Sequence, residues 1–368
     1  MRTPDYFARL WQLRTEYNRR DPFLGFDQTV NFEQVLGDCY ALWNGLRGAP
    51  FGDPVFFKAA ESLSFKDGES GFSNAGEQIR HILEATALRF RESSQSFEAG
   101  ADQSPAFASY RELLQGLGDN FDLGIYNLNY DTVAYKGAPG LLFTGFDELG
   151  DFQPGNVHDR EQWNFIYHLH GSVHFCYPER PVDRIVWKDK LGGDFIDTLD
   201  IPTEGSDRRV RIASTVITGG WKLEQLQDEP FQTYYSSFRR HAYQADAIMI
   251  GGYGFGDSHI NSVITNAIYN RRRKVPVLIL ERAEMGGAPK LGKLAEPGRK
   301  ISPWERSQST LRLSGMSKPG PAAVSKHPGF EFLDDYRAPT ALWTGGFETA
   351  ASNVEAVVRW LKMGTFGF

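Results

Sequence analysis

The chain has 368 residues, 41% of them hydrophobic and 23% charged, with a formal net charge of −6. This ordinary usage excludes wholesale disorder and collagen-like structure. The negative balance argues against a globally cationic nucleic-acid binder, while local basic patches stay open. No apolar run approaches the ~18 residues of a membrane helix. Charges in Met1 to Arg20 stand where a signal peptide needs its apolar stretch, so a cytoplasmic protein with no membrane partner is expected. The two cysteines, Cys39 and Cys176, can build neither a disulfide framework nor a four-cysteine zinc site.

Met1 to Lys66 mixes aromatics, Gly and Asp with helical fragments such as Asn31 to Leu46, and shows no strand pattern. From Ser73 to Glu92, Ile79, Ile82, Leu83, Ala87 and Phe90 recur at helical spacing on an otherwise charged segment, which predicts a helix. Ser104-Pro105 is a capping residue followed by a favoured first-turn residue. It predicts a second helix ending near Gly116 or Gly118. Residues 1–118 are therefore expected to be a mainly helical segment or insertion.

Short apolar runs follow: Phe121 to Tyr126, Phe165 to Leu169, Ala245 to Ile250 and Val275 to Leu280. Runs bounded by turn residues and lacking strict alternation fit strands buried on both faces of a parallel sheet. Helices are expected between and after them, at Pro230 to Tyr243, Ser258 to Asn270 and Asn353 to Lys362. The last carries a stripe of Val354, Val357, Val358 and Leu361. Strand and helix alternate, so the fold class is α/β. Between Arg282 and His327 nine Lys or Arg face three Glu among many Gly, Pro and Ser. A flexible basic loop at 282–327 is expected, either merely solvated or receiving a partner.

In open parallel sheets ligands bind where loops converge at the carboxyl ends of strands. Three such ends carry polar or glycine-rich residues: Asn127 to Asp131, His168 to Ser172, and Gly251 to Asp257. In the third, Gly252, Tyr253, Gly254 and Asp257 lead into a helix, so backbone N–H groups can approach a ligand. A tight turn without a ligand would look the same. Glu281 closes the next strand, where a carboxylate can accept from ribose hydroxyls; a surface Glu fits as well. His168 and His170 alternate about Leu169, so within a strand both imidazoles would share one face. A lone histidine there would more often be structural. With Asn129 and Asp131 nearby, an amide, a carboxylate and an imidazole could orient a water, hold a polar group and take a proton.

Asn129-Tyr130-Asp131, His168 to Ser172, and Gly252-Tyr253-Gly254 with Asp257, in this order, resemble the sirtuin-like NAD-binding domain of bacterial anti-phage defence proteins. Ile217 to Lys222 and Glu229-Pro230-Phe231 add to the resemblance, which covers roughly Asn120 to Glu281. It implies a Rossmann-like parallel sheet over 119–368, a helical N-terminal insertion and no zinc module. Asn129 and His170 match the family's catalytic asparagine and histidine, and Asp131 the acidic residue beside the nicotinamide ribose. Gly171, Ser172, Gly252, Tyr253, Gly254, Asp257 and Glu281 fall where NAD is held. Hydrolysis of NAD to nicotinamide and ADP-ribose is the implied activity. It passes through an oxocarbenium-like ribosyl centre, and no metal is required. The resemblance also implies assembly with further copies of the chain and an ATPase partner such as a HerA-type helicase.

Gly254 stands where the family often has Ser, and Asn127 near an expected Thr. The family's opening apolar strand and Gly-Ala-Gly-x-Ser turn have no counterpart before Phe121, and the reading frame upstream of Met1 is expected to supply them. Two other readings stand beside hydrolysis. One is a non-catalytic nucleotide-sensing or interaction subunit. The other is a metal-dependent hydrolase using His168, His170 and either His174 or Asp257-x-His259.

Overall fold

A computed structural model describes residues 11–16, 30, 35, 71–138, 140, 142–178, 184–191, 196–201, 209–215, 217, 226–281, 330–334, 339–343 and 345–364. Over 71–83, 196–201, 209–214 and 330–334 the backbone alone is described. The basic loop expected at 282–327 and the fragment Asn31 to Leu46, Val35 aside, lie outside these residues, as do the side chains of Ile79, Ile82 and Leu83.

Helix α1 (Gly71–Gly100) overruns the predicted helix at both ends, and its Phe90 ring lies 4.7 Å from that of Tyr130. Helix α2 (Pro105–Gly118) begins as its sequence dictates, with Pro in the first turn and the Ser104 hydroxyl accepting from the Phe107 N–H at 3.3 Å.

Strand β1 (Gly124–Asn127) pairs in parallel with β2 (Phe165–His168), and the short helices α3 (Val133–Gly137) and α4 (Pro154–His158) lie between them in sequence. A second sheet has the order β7 (Ile248–Gly251), β8 (Val277–Leu280), β10 (Pro339–Trp343), β9 (Phe330–Asp334). Helix α5 (Phe231–Gln244) precedes β7, and α6 (Ser258–Asn270) links β7 to β8. The sheet is parallel from β7 to β10, but β9 runs antiparallel to β10. The connection 335–338 is too short for a helical crossover, so only the antiparallel return is open to it. Two antiparallel pairs complete the strands: β3 (Phe175–Cys176) with β4 (Val186–Trp187), and β5 (Ile196–Ile201) with β6 (Arg209–Ser214). The fold is thus mixed α/β with small parallel sheets, consistent with a Rossmann-like arrangement.

Strand β8 shows why its run of Val, Leu, Ile and Leu lacks polar alternation. Val277 and Ile279 enter the core that holds Phe165, Tyr167, Phe231 and Tyr234. Leu278 and Leu280 enter the core on the opposite face. That second core is closed by Leu113, Leu114 and Leu117 of α2, by α7 (Gly346–Ala351), and by Val357, Val358, Trp360 and Leu361 of α8 (Val354–Met363). Helix α2, N-terminal to every described strand, is therefore one wall of the sheet's core. Among the described residues, β1 pairs only with β2 and β7 only with β8. The second edge of each is unpaired, and residues of both strands line the same two cavities.

Candidate functional site

Asn127, the last residue of β1, is buried and uses its amide twice. Its Oδ1 accepts from the Asn129 backbone N–H at 3.1 Å, and its Nδ2 lies 3.3 Å from His168 Nδ1. This side-chain turn carries Asn129 out of the strand to an exposed position on both cavities. Two residues on, the Asp131 carboxylate accepts from the Val133 N–H at 3.0 Å and so organises the start of α3. Burial raises the Asp131 pKa, and its charge adds to burial in pushing the Tyr110 hydroxyl up to about 12. Both residues line the larger cavity.

At β2 the structure departs from the expectation that His168 and His170 share one face. The strand ends at His168, and Gly171, at φ 102°, turns the chain away, so strand alternation does not reach His170. His168 sits among Phe175, Trp187 and His174, and burial, helped by His174, lowers its pKa to about 3. It is a neutral core group. His174 stacks on Trp187 at 4.4 Å and donates from Nδ1 to the Lys188 carbonyl at 2.9 Å. His170 instead lines the smaller cavity, with its Nε2 3.3 Å from His259 Nε2. The Ile217 N–H donates to the His170 carbonyl at 2.7 Å, and the Tyr130 hydroxyl donates to the Ile217 carbonyl at 2.7 Å. Gly171 and Ser172 line neither cavity, and the Ser172 hydroxyl accepts from the His174 N–H.

The glycine-rich segment after β7 is held open by Tyr253. Its hydroxyl reaches Asn261 Oδ1 at 2.8 Å and lies 3.2 Å from the Asp257 N–H, fastening the turn to the first turns of α6. Gly252 has φ 63°, the left-handed region that glycine enters at little cost. A Cβ at Gly254 or Gly256 would meet nothing within 4 Å, so the backbone there borders open space. Gly252, Tyr253 and Gly254 line both cavities, Asp257 the smaller and Glu281 the larger.

The larger cavity has a volume of about 1370 Å³ and the smaller about 560 Å³, and they share Asn127, Asn129 and Gly251 to Gly254. Together they bring Asn129, Asp131, His170, Gly252, Tyr253, Gly254, Asp257 and Glu281 onto two adjoining cavities at the strand ends. Their polar groups come from four separate segments, one after each of β1, β2, β7 and β8. Residues 124–298 match the family model of the SIR2-like domain. The motif-based span of Asn120 to Glu281 falls on the same stretch. SIR2-like domains are in general those of NAD-dependent enzymes. No curated protein matches the chain. Among the described residues, no helix is long and apolar enough to cross a membrane.

Three residues outside the motif-based site border it. Asn127 sets the Asn129 turn, Phe347 of α7 stands against Gly251, and His259 faces His170. A D-x-H step at the start of a predicted helix was the only signal for His259, and it entered only the metal reading. Of the residues in that reading, the group with donor atoms close together is His170, Asp257 and His259; His168 and His174 are not in it.

Proposed function

We propose that this chain hydrolyses NAD to nicotinamide and ADP-ribose. The observation that carries the reading is the convergence of Asn129, His170 and the Gly252–Gly254 turn on adjoining cavities within a SIR2-like domain. The cleft suits a dinucleotide: its volume exceeds the ~300–1,000 Å³ of ordinary small-ligand pockets, and the turn exposes backbone without side chains. Asn129, exposed at the junction, orients a ribose hydroxyl or the attacking water through its amide. His170 takes the proton that this water loses. Asp131, close to the same junction, supplies negative charge to a ribosyl centre that becomes positive as nicotinamide leaves. Gly252 to Gly254 and the N-terminus of α6 hold the phosphates, and Glu281 accepts from the other ribose.

The defence setting, the cytoplasmic location, assembly with further copies and an ATPase partner belong to the same proposal and rest on the resemblance. Nicotinamide release from NAD by the purified chain is the test. His170→Ala and Asn129→Ala should each lower the rate ~10²-fold or more while the far-ultraviolet spectrum is kept. Folded variants that both retain activity within a few-fold of the parent would overturn the assignment.

A further inference from the structure

The proposed hydrolysis uses His170 and asks nothing of His259, yet the two imidazoles meet edge to edge. Their Nε2 atoms are 3.3 Å apart although 89 positions separate them in the chain. One donor atom from each of His170, Asp257 and His259 lies within 4.8 Å of the others. We propose that these three residues form a site for a divalent transition-metal ion of the zinc class.

Tetrahedral zinc with Zn–N bonds of ~2.0–2.1 Å separates two nitrogen ligands by about 3.3–3.4 Å. The histidine pair already stands at that spacing; with ring centroids 5.5 Å apart the two rings point at each other, so each has to swing by roughly 35° to converge on an ion, and the proton of their hydrogen bond leaves as it binds. The Asp257 carboxylate has to close in by at most about 1.4 Å to complete a third corner, a side-chain rotation at the exposed start of α6. Two imidazoles and one carboxylate suit zinc, cobalt or nickel, whereas calcium and magnesium demand mostly oxygen. His170 and Asp257 both line the smaller cavity, from which a fourth ligand can approach. The charge at Asp257 is essential: the site sits at the N-terminal end of α6, whose partial positive charge opposes a cation.

Two supports hold the site. The Tyr235 hydroxyl donates to the His259 carbonyl at 3.2 Å, and the His170 carbonyl accepts from Ile217. Both histidine backbones are therefore fixed before metal arrives. A metal bound here takes the His170 lone pair, so it opposes NAD cleavage; this consequence rests on the hydrolase reading, whereas the metal site does not.

The test is equilibrium dialysis of the full chain against Zn²⁺, with Co²⁺ titration read by visible absorption. The parent should take up one ion per chain and give the intense band of tetrahedral cobalt. Asp257→Asn keeps a good capping residue and the fold; it and His259→Ala should each weaken binding at least tenfold. His158→Ala, at an exposed histidine of α4, should bind as the parent does. A parent that binds no ion, or variants that bind as tightly as the parent, would overturn the site. If the metal-free chain cleaves NAD, Zn²⁺ should suppress it at the concentration that fills the site, and a chelator should restore it; unaffected cleavage would overturn the antagonism. A metal-free chain that cleaves no NAD, with zinc bound as described, would defeat the hydrolase reading and leave the site standing.

Discussion

Replacing Asn127 by Ala tests whether the end of β1 is built by one buried amide. The substitution removes the acceptor of the Asn129 N–H and the group 3.3 Å from His168 Nδ1. Asn129 is exposed, so its N–H can turn to water, and that loss is worth ~0.5–1.5 kcal/mol. His168 is only 1% exposed, and among the described residues its Nε2 has no hydrogen-bond partner. Removing the amide leaves the ring only the Asn129 backbone as a hydrogen-bond partner, at a cost of ~1–3 kcal/mol for a poorly satisfied buried group. The expected destabilisation is ~2–4 kcal/mol, a large share of the ~5–15 kcal/mol typical of a folded domain. Urea unfolding at pH 7 measures it. Asn127→Thr separates the two roles, because a hydroxyl can still accept from Asn129 but is too short to reach His168. The Thr variant should recover nicotinamide release while recovering only part of the stability. An Ala variant within 0.5 kcal/mol of the parent, or a Thr variant no more active than Ala, would refute the reasoning.

Tyr253→Phe should destabilise the turn after β7 by ~1–3 kcal/mol, since the hydroxyl serves Asn261 and Asp257 together; faster hydrogen exchange at residues 252–257 would register it. Gly254→Ser should stay within ~0.5 kcal/mol of the parent, whereas Gly252→Ala should lose ~1–2 kcal/mol to its left-handed backbone. Equal melting temperatures for these two variants would contradict the geometry. His241 carries a pKa lowered to about 4 by burial, with the Arg240 charge adding to it. Its unfolded value is near 6.5, so its contribution is complete above that pH and is lost as pH falls toward 4. His241→Gln should flatten the decline in stability between pH 7 and 5 by ~1–2 kcal/mol, and denaturant midpoints across that range would show an unchanged slope if burial were not the cause.

Helix α6 was legible to the residue, because Asp257 precedes it and Ile260, Val263, Ile264, Ala267 and Ile268 mark its buried face. Strand β8 was legible because both of its faces are buried, so the run is apolar throughout. Strands β9 and β10 were not, since Glu331, Asp334 and Pro339 interrupt any apolar pattern and β9 pairs antiparallel with its neighbour in sequence rather than by crossover. Helix α7 escaped for a related reason: six residues are too few to establish a period. In the site, Asn129, Asp131 and the glycine turn could be found because each follows a strand directly. The encounter of His170 with His259 could not, because it depends on how the loop after β2 meets the start of α6.

The unpaired edges of β1 and β7 bear on how the cleft keeps its dimensions. A ladder of peptide hydrogen bonds spaces neighbouring strands in fixed steps of ~4.8 Å. Among the described residues no ladder bridges β1 and β7, so their separation is governed by side-chain volumes. Tyr126 is central to that: it projects from β1, packs 4.9 Å from Phe238 and is bonded through its hydroxyl to His241 at 2.7 Å, both on α5. The aperture at the strand ends is accordingly a continuous quantity, adjustable by a methyl group here or a ring there. Neighbouring sequences can rescale the cleft for longer or shorter guests without re-registering a single strand.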